Sequence, residues 1–297
     1  MFKNTLKNWL LKLGLASFTL LIFLYAIFSA LGIEYPPISR DMIGDKLSFE
    51  WFVVMAVILA PLLEEVAFRG FFTAKRWLRI ISFIVLLVFI GLSFSYFALA
   101  LLVLYIATIF VNDRSGKKHI NTLLIMNAVL FAGIHYTAED FMTSLGTIAI
   151  LAQFGMGLIL LWITINFGLI KAMLFHAFYN GLLMLLLFMA LQYPSSKNHR
   201  IESENLVVEY KERAILDSNT SSFSSSANKD TLYIHNMSIG KAKPMLEQTN
   251  NVEESSIWIE NVPFMKYDFK IYTNNQEEVS NYSKELEQLL KQEELIN

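Results

Sequence analysis

The 297-residue chain contains no cysteine, which removes disulfides, thiolate metal sites and a cysteine nucleophile together and leaves the redox compartment open. Charge is scarce as well. Only 17% of residues are Asp, Glu, Lys or Arg, against 55% hydrophobic, and mean hydropathy is +0.45. That is too apolar for an ordinary soluble domain. No basic stripe or nucleic-acid motif is present, so no nucleic-acid partner is expected. No HExxH zinc motif occurs either. The few charges are divided unevenly: residues 1–191 hold 13 Lys/Arg and 9 Asp/Glu, net +4, whereas 192–297 hold 11 and 17, net −6. Two bodies of different character are fused.

What the first body has in abundance is apolar runs. A helix needs roughly 20 apolar residues to cross the hydrocarbon core. Residues 1–191 supply seven runs near that length, at about 10–33, 49–72, 78–92, 93–111, 120–136, 144–166 and 168–191. The uncharged stretch after Arg79 is too long for one span and divides near Gly91-Leu92-Ser93 into a tight hairpin. An all-α polytopic membrane bundle of about seven transmembrane helices is expected, an integral multi-pass protein of the cell membrane with the lipid bilayer as its solvent. The first run is longer than a signal peptide's apolar core, and further spans follow it. Basic residues gather in alternate loops: Lys3, Lys7 and Lys12, then Lys75, Arg76 and Arg79, then Arg114, Lys117 and Lys118, then Lys171. The positive-inside rule puts the N-terminus in the cytoplasm and, after seven crossings, the tail outside.

That tail, 192–297, is acidic and polar. Its Ser/Asn-rich stretch 218–228 reads as a loop. Runs 205–210, 231–236, 256–260 and 267–273 are short and β-rich, and 239–248 fits a helix. Between 277 and 295 the apolar residues Val279, Tyr282, Leu286, Leu289 and Leu290 have amphipathic helical spacing. A small C-terminal α+β soluble domain follows from this pattern.

Ionisable groups are costly inside a membrane and mark function when present. The interiors of the expected spans hold five: Glu64, Glu65, Arg69, His135 and His176. On a helix Glu64 and Glu65 point about 100° apart. Glu65 and Arg69 are an i,i+4 pair in the favoured acid-then-base order, which leaves Glu64 without a partner on its own helix. A carboxylate unpaired in low dielectric holds a proton more tightly, as a general base near neutral pH must. Phe131 and His135 lie one turn apart, as do His176 and Asn180, so an imidazole and a carboxamide can address one point. Each segment alone also has a purely structural reading, as an ion pair, a hydrogen-bonded core histidine or an interhelical polar contact.

Together EEVAFR at 64–69, FAGIH at 131–135 and HAFYN at 176–180 resemble the ordered motifs E-E-x-x-x-R, F-x-x-x-H and H-x-x-x-N/D of the CPBP family. These are the intramembrane CAAX proteases and bacteriocin-processing enzymes, also called Abi proteins. The resemblance covers roughly residues 48–185 and leaves the tail unexplained; the interval 75–110 is longer than the family's usual step between the first two motifs. It implies an intramembrane endopeptidase acting on a peptide or membrane-protein substrate. Glu64 would activate the attacking water, His135 would help to hold it, and His176 and Asn180 would stabilise the oxyanion. Glu65 and Arg69 would support the site.

Glu64, His135 and His176 could instead ligate zinc with a fourth position open to water. The absent HExxH and the unusual Asn ligand favour the metal-free form. Two readings come from other classes. A proton-coupled transporter should show repeated halves, which this sequence lacks, and a non-catalytic scaffold or immunity factor should have lost Glu64, His135 or His176. On straight spans, His135 falls near the far end of span five, away from the depth of Glu64 and His176. Bringing them level requires span five to start later or tilt, or 134–145 to turn back into the membrane.

Overall fold

From residue 48 to 192 the chain has one proline, Pro61, so little interrupts helix formation there. The computed structural model describes residues 8–31, 48–93, 95–136, 144–242, 262, 264–293 and 295–296. Its helices are α1 (Asn8–Ala30), α2 (Phe49–Val54), α3 (Ala60–Arg69), α4 (Arg76–Ser93), α5 (Tyr96–Arg114), α6 (Ile120–Gly133), α7 (Ser144–Phe167) and α8 (Leu169–Gln192). A π-turn, Met55–Leu59, joins α2 to α3, and a 3-10 turn, Gly70–Phe72, follows α3.

Of the seven expected crossings, five are matched among the described residues by helices long and apolar enough to span. Asn8–Ala30, Phe49–Phe72, Tyr96–Arg114, Ile148–Phe167 and Leu169–Gln192 are long and apolar enough to cross a membrane, which makes this a membrane protein by composition. The expected span 120–136 is the 14-residue α6, whose rise of about 21 Å falls short of a hydrocarbon core about 30 Å thick. The expected span 78–92 is α4, which carries Arg76 and Arg79 in its first turn. The long apolar stretch forms two helices: α4 ends at Ser93 and α5 begins at Tyr96, capped by the Ser95 side chain, which accepts the Ala98 N–H.

The described residues fall into two units, 8–31 with 55–181 and 48–54 with 182–296. In the first, α1 crosses α7 at two glycines: a Cβ on Gly14 would stand 2.8 Å from the Gly155 carbonyl oxygen, and one on Gly155 2.9 Å from that of Gly14. Small residues let membrane helices approach this closely. The core of this unit includes Phe68 of α3, Leu124, Ala128 and Phe131 of α6, and Leu158, Leu160 and Leu161 of α7, all fully buried. Gly157 belongs to the same contact, because a Cβ there would meet Phe131 and Ala128 at 3.2–3.3 Å.

The second unit contains a five-stranded antiparallel sheet of order β1-β2-β5-β4-β3, with β1 (His199–Glu202), β2 (Leu206–Arg213), β3 (Ser222–Ser225), β4 (Thr231–Met237) and β5 (Lys266–Thr273). Period-two alternation puts Val208, Tyr210, Ile234, Phe269 and Ile271 in a core with Leu286, Leu289 and Leu290 of the C-terminal helix, Ser283–Gln292. Leu187 and Leu191 at the end of α8 and Phe49 pack against that core, Phe49 meeting Phe264 edge-on at 5.4 Å. Strand β3 corrects the reading of 218–228 as loop. Its serines pair with β4 in register Ser222↔His235 to Ser225↔Leu232, so backbone pairing supplies what side-chain propensity did not signal. The expected loop 137–143, residues 34–47, the run 256–260 and the part of 239–248 beyond 242 lie outside the described residues.

Candidate active site

Pro61 shapes the segment that carries the two glutamates. A π-turn pairs the N–H of residue i+5 with the carbonyl of residue i, and for Ala56 the partner in that register is Pro61, which has no N–H. Asn180 of α8 donates Nδ2 to Ala56 O instead, at 2.8 Å. The carboxamide thus answers a carbonyl that the proline leaves short and ties α8 to the turn leading into α3.

Glu65 and Arg69 follow one turn apart, both with no solvent exposure. Arg69 Nη1 lies 3.3 Å from Glu65 Oε1, within ion-pair reach though not aligned as a hydrogen bond. Arg69 Nη2 donates to Gly157 O at 3.3 Å, and the guanidinium stacks over the Phe131 ring at 4.0 Å. Glu65 Oε1 also meets His176 Nδ1 at 3.0 Å, so a single oxygen serves an arginine from its own helix and a histidine from α8.

Glu64 turns to a different side. Its Oε2 lies 3.9 Å from His135 Nε2 and 4.0 Å from His176 Nε2, with side-chain exposures of 14% for Glu64, 20% for His135 and 5% for His176. That oxygen is buried and accepts no hydrogen bond. His135 reaches this depth because α6 stops at Gly133; the next residues turn, with the His135 N–H donated to Ala132 O. Its Nδ1 stands 2.7 Å from Phe131 O. A carbonyl only accepts, so Nδ1 carries the proton and neutral His135 presents a lone pair at Nε2. Phe131 is the hub of the cluster, its ring edge-on to His135 at 5.0 Å and to His176 at 6.1 Å.

Glu64, His135, His176, Glu65 and Arg69 are therefore gathered in one cluster from α3, the end of α6, and α8. Asn180 stands one turn beyond His176, with one N–H given to Ala56. Sequence reasoning missed Asn127 and Tyr105. Asn127 Nδ2 donates to Phe68 O at 2.9 Å and to Tyr105 Oη at 3.2 Å, holding the end of α3 where Arg69 sits. Asn127 is polar within an apolar helix, a signal that a search for ionisable groups passes over.

A zinc ion bonded at about 2.0–2.1 Å to tetrahedral ligands needs donor atoms about 3.4 Å apart. Glu64 Oε2 and the two Nε2 atoms are spaced wider, at 3.9 and 4.0 Å, and among the described residues no three His, Cys, Asp or Glu side chains stand in metal-ligating geometry. The donor types fit zinc, and a closure of about half an ångström would bring the spacing into range. No protein-family model, curated protein or solved structure matches the chain.

Proposed function

We propose that this protein is an intramembrane endopeptidase of the CPBP type, hydrolysing a peptide bond in a peptide or membrane-protein substrate with a water activated by Glu64. The observation that carries this is the convergence of Glu64 Oε2 with His135 Nε2 and His176 Nε2 at 3.9 and 4.0 Å. One oxygen and two nitrogens at those separations can each stand about 2.8 Å from a common partner. A water there donates one proton to Glu64 and the other to the His135 lone pair, leaving its own lone pair directed at a substrate carbonyl.

As the water oxygen bonds to the carbonyl carbon, Glu64 takes its proton. The developing oxyanion faces His176, whose Nδ1 is backed by Glu65 at 3.0 Å. With its Nδ1–H given to Glu65, the doubly protonated His176 ring offers Nε2–H to the oxyanion. Asn180 contributes its second amide N–H. Glu64 then returns the proton to the leaving nitrogen, the C–N bond breaks, and the carboxyl product loses its remaining proton to the amine. Arg69 and Phe131 hold Glu65 and the imidazoles in register.

A cleavage assay of the purified chain against a peptide library tests this. Glu64→Gln should abolish turnover while leaving the melting temperature near wild type, and His176→Ala should lower turnover about 10²–10³-fold. Full turnover in Glu64→Gln would refute the assignment.

A zinc-dependent version is the second reading, favoured by the Nε2 lone pair of His135 and by Glu65 behind His176, the carboxylate that commonly backs a ligand histidine. Glu64, His135 and His176 would hold the ion, which would polarise the carbonyl and acidify a water. Dialysis against chelator separates the two. Activity that survives supports the metal-free form, and activity lost and restored by zinc supports the other. The alternating basic loops also favour a cytoplasmic N-terminus and an extracytoplasmic tail.

A further inference from the structure

A cleft of about 390 Å³ opens between the end of α3, the start of α4, the end of α5 and the start of α6, and shares no residue with the Glu64 cluster. Phe71, Ile106, Ile109, Phe110, Ile120 and Leu123 make its walls apolar, and Arg79, Asn112 and Asp113 give it a polar end. Its volume lies in the range of small-molecule sites, roughly 300–1,000 Å³. From this lining we infer that the cleft binds a phospholipid with a primary-ammonium headgroup, of the phosphatidylethanolamine class.

Three groups select that chemistry. Arg79 is half-buried and donates Nε to Thr73 O at 3.1 Å, which leaves its terminal nitrogens for a phosphate. Among the described residues neither Arg79 nor Asp113 has an ion-pair partner. Asp113 is exposed at the cleft and supplies a carboxylate. Asn112 is 4% exposed, and its Oδ1 is buried without a donor. Asn112 lines the cleft, where an N–H from a ligand would satisfy that oxygen.

A guanidinium beside two oxygen acceptors matches a headgroup carrying phosphate and ammonium together. Phosphatidylcholine meets the charges but has no N–H for Asn112 or Asp113. Phosphatidylglycerol meets Arg79 but places net negative charge against Asp113. The apolar walls take the first part of an acyl chain, and the remainder lies along Ile106 and Phe110, both exposed on α5.

Native mass spectrometry of the delipidated full chain tests the site, using phosphatidylethanolamine, its N-methyl and N,N-dimethyl forms, phosphatidylcholine and phosphatidylglycerol with identical acyl chains. Binding should fall stepwise as N–H groups are replaced by methyls, by about tenfold from the primary amine to phosphatidylcholine. Asp113→Asn, at an exposed position, should shrink that gradient without removing it, because Asn112 still accepts one N–H. Arg79→Gln should weaken all the phospholipids together. A flat methylation series in the wild type, a gradient undiminished by Asp113→Asn, or a preference for phosphatidylglycerol would each overturn the assignment. The methylation series needs no variant, so it decides the matter even if a substituted chain fails to fold.

Discussion

At the scale of single residues, Glu65 and Arg69 have no access to solvent, and each depends on the other to remain charged there. Breaking a buried pair leaves an uncompensated charge and costs about 3–5 kcal/mol. Arg69→Leu and Glu65→Gln should therefore lower the melting temperature in detergent markedly, whereas Glu64→Gln should not. An Arg69→Leu variant that melts with the wild type would contradict this account. The pair was legible because it obeys i,i+4 spacing within one helix. The Glu65–His176 contact was not, because its partners are 111 residues apart in the chain and meet only through packing.

Asp268, in the tail, gives a prediction in pH. Burial works against its carboxylate, but hydrogen bonds from Arg213 and the Asn236 N–H, with the charges of Arg213 and His235, outweigh it and hold the pKa below the ordinary value. A depressed carboxyl contributes stability that is present above its unfolded pKa, about 3.9. It is lost as pH falls through the lower folded value. Amide protection of β2, β4 and β5 in the full chain should therefore decline below about pH 4, and Asp268→Asn should lose protection at neutral pH with a flatter acid limb. An unchanged acid limb in that variant would show that the carboxylate contributes nothing.

At the scale of elements, the π-turn Met55–Leu59 is explained by Pro61 and Asn180 acting together. Asn180→Ala leaves Ala56 O without its donor, at a cost of about 1–3 kcal/mol. Pro61→Ala restores an N–H, so the double variant should recover most of that loss. An Asn180→Ala penalty of the same size in both backgrounds would separate the two residues. The proline was plain in the sequence, and so was the position of Asn180 one turn from His176. That the amide answers the proline was not, because it depends on how α8 lies against the turn. Helix α6 teaches the same lesson. Its apolar pattern continues to Tyr136, yet the helix ends at Gly133, and that early end resolves the mismatch in depth which straight spans imposed on His135.

At the scale of the whole molecule, the side of the membrane on which the tail lies follows from loop charge. The basic clusters at 75–79, at 114–118 and at Lys171 fall between α3 and α4, α5 and α6, and α7 and α8, so they share the side of the N-terminus when α4 and α6 cross as the other helices do; five crossings alone would put 114–118 opposite the rest but, being an odd number, would leave the tail outside. Protease added to intact spheroplasts should digest a tag placed after Asn297. Protection until the membrane is permeabilised would put the tail inside.

The sequence by itself determined the membrane habit of residues 1–191, the change of character near 192, the three strands whose side chains alternate or favour β structure, and the identity of the ionisable groups within apolar runs. All of these depend on composition or on spacing within one element, which the chain carries locally. Only the tertiary structure decided that α6 ends at Gly133, that β3 forms among serines, and that Glu64, His135 and His176 face one another. Those outcomes depend on packing between distant segments, where backbone pairing and the ends of helices outweigh the preferences of the residues concerned.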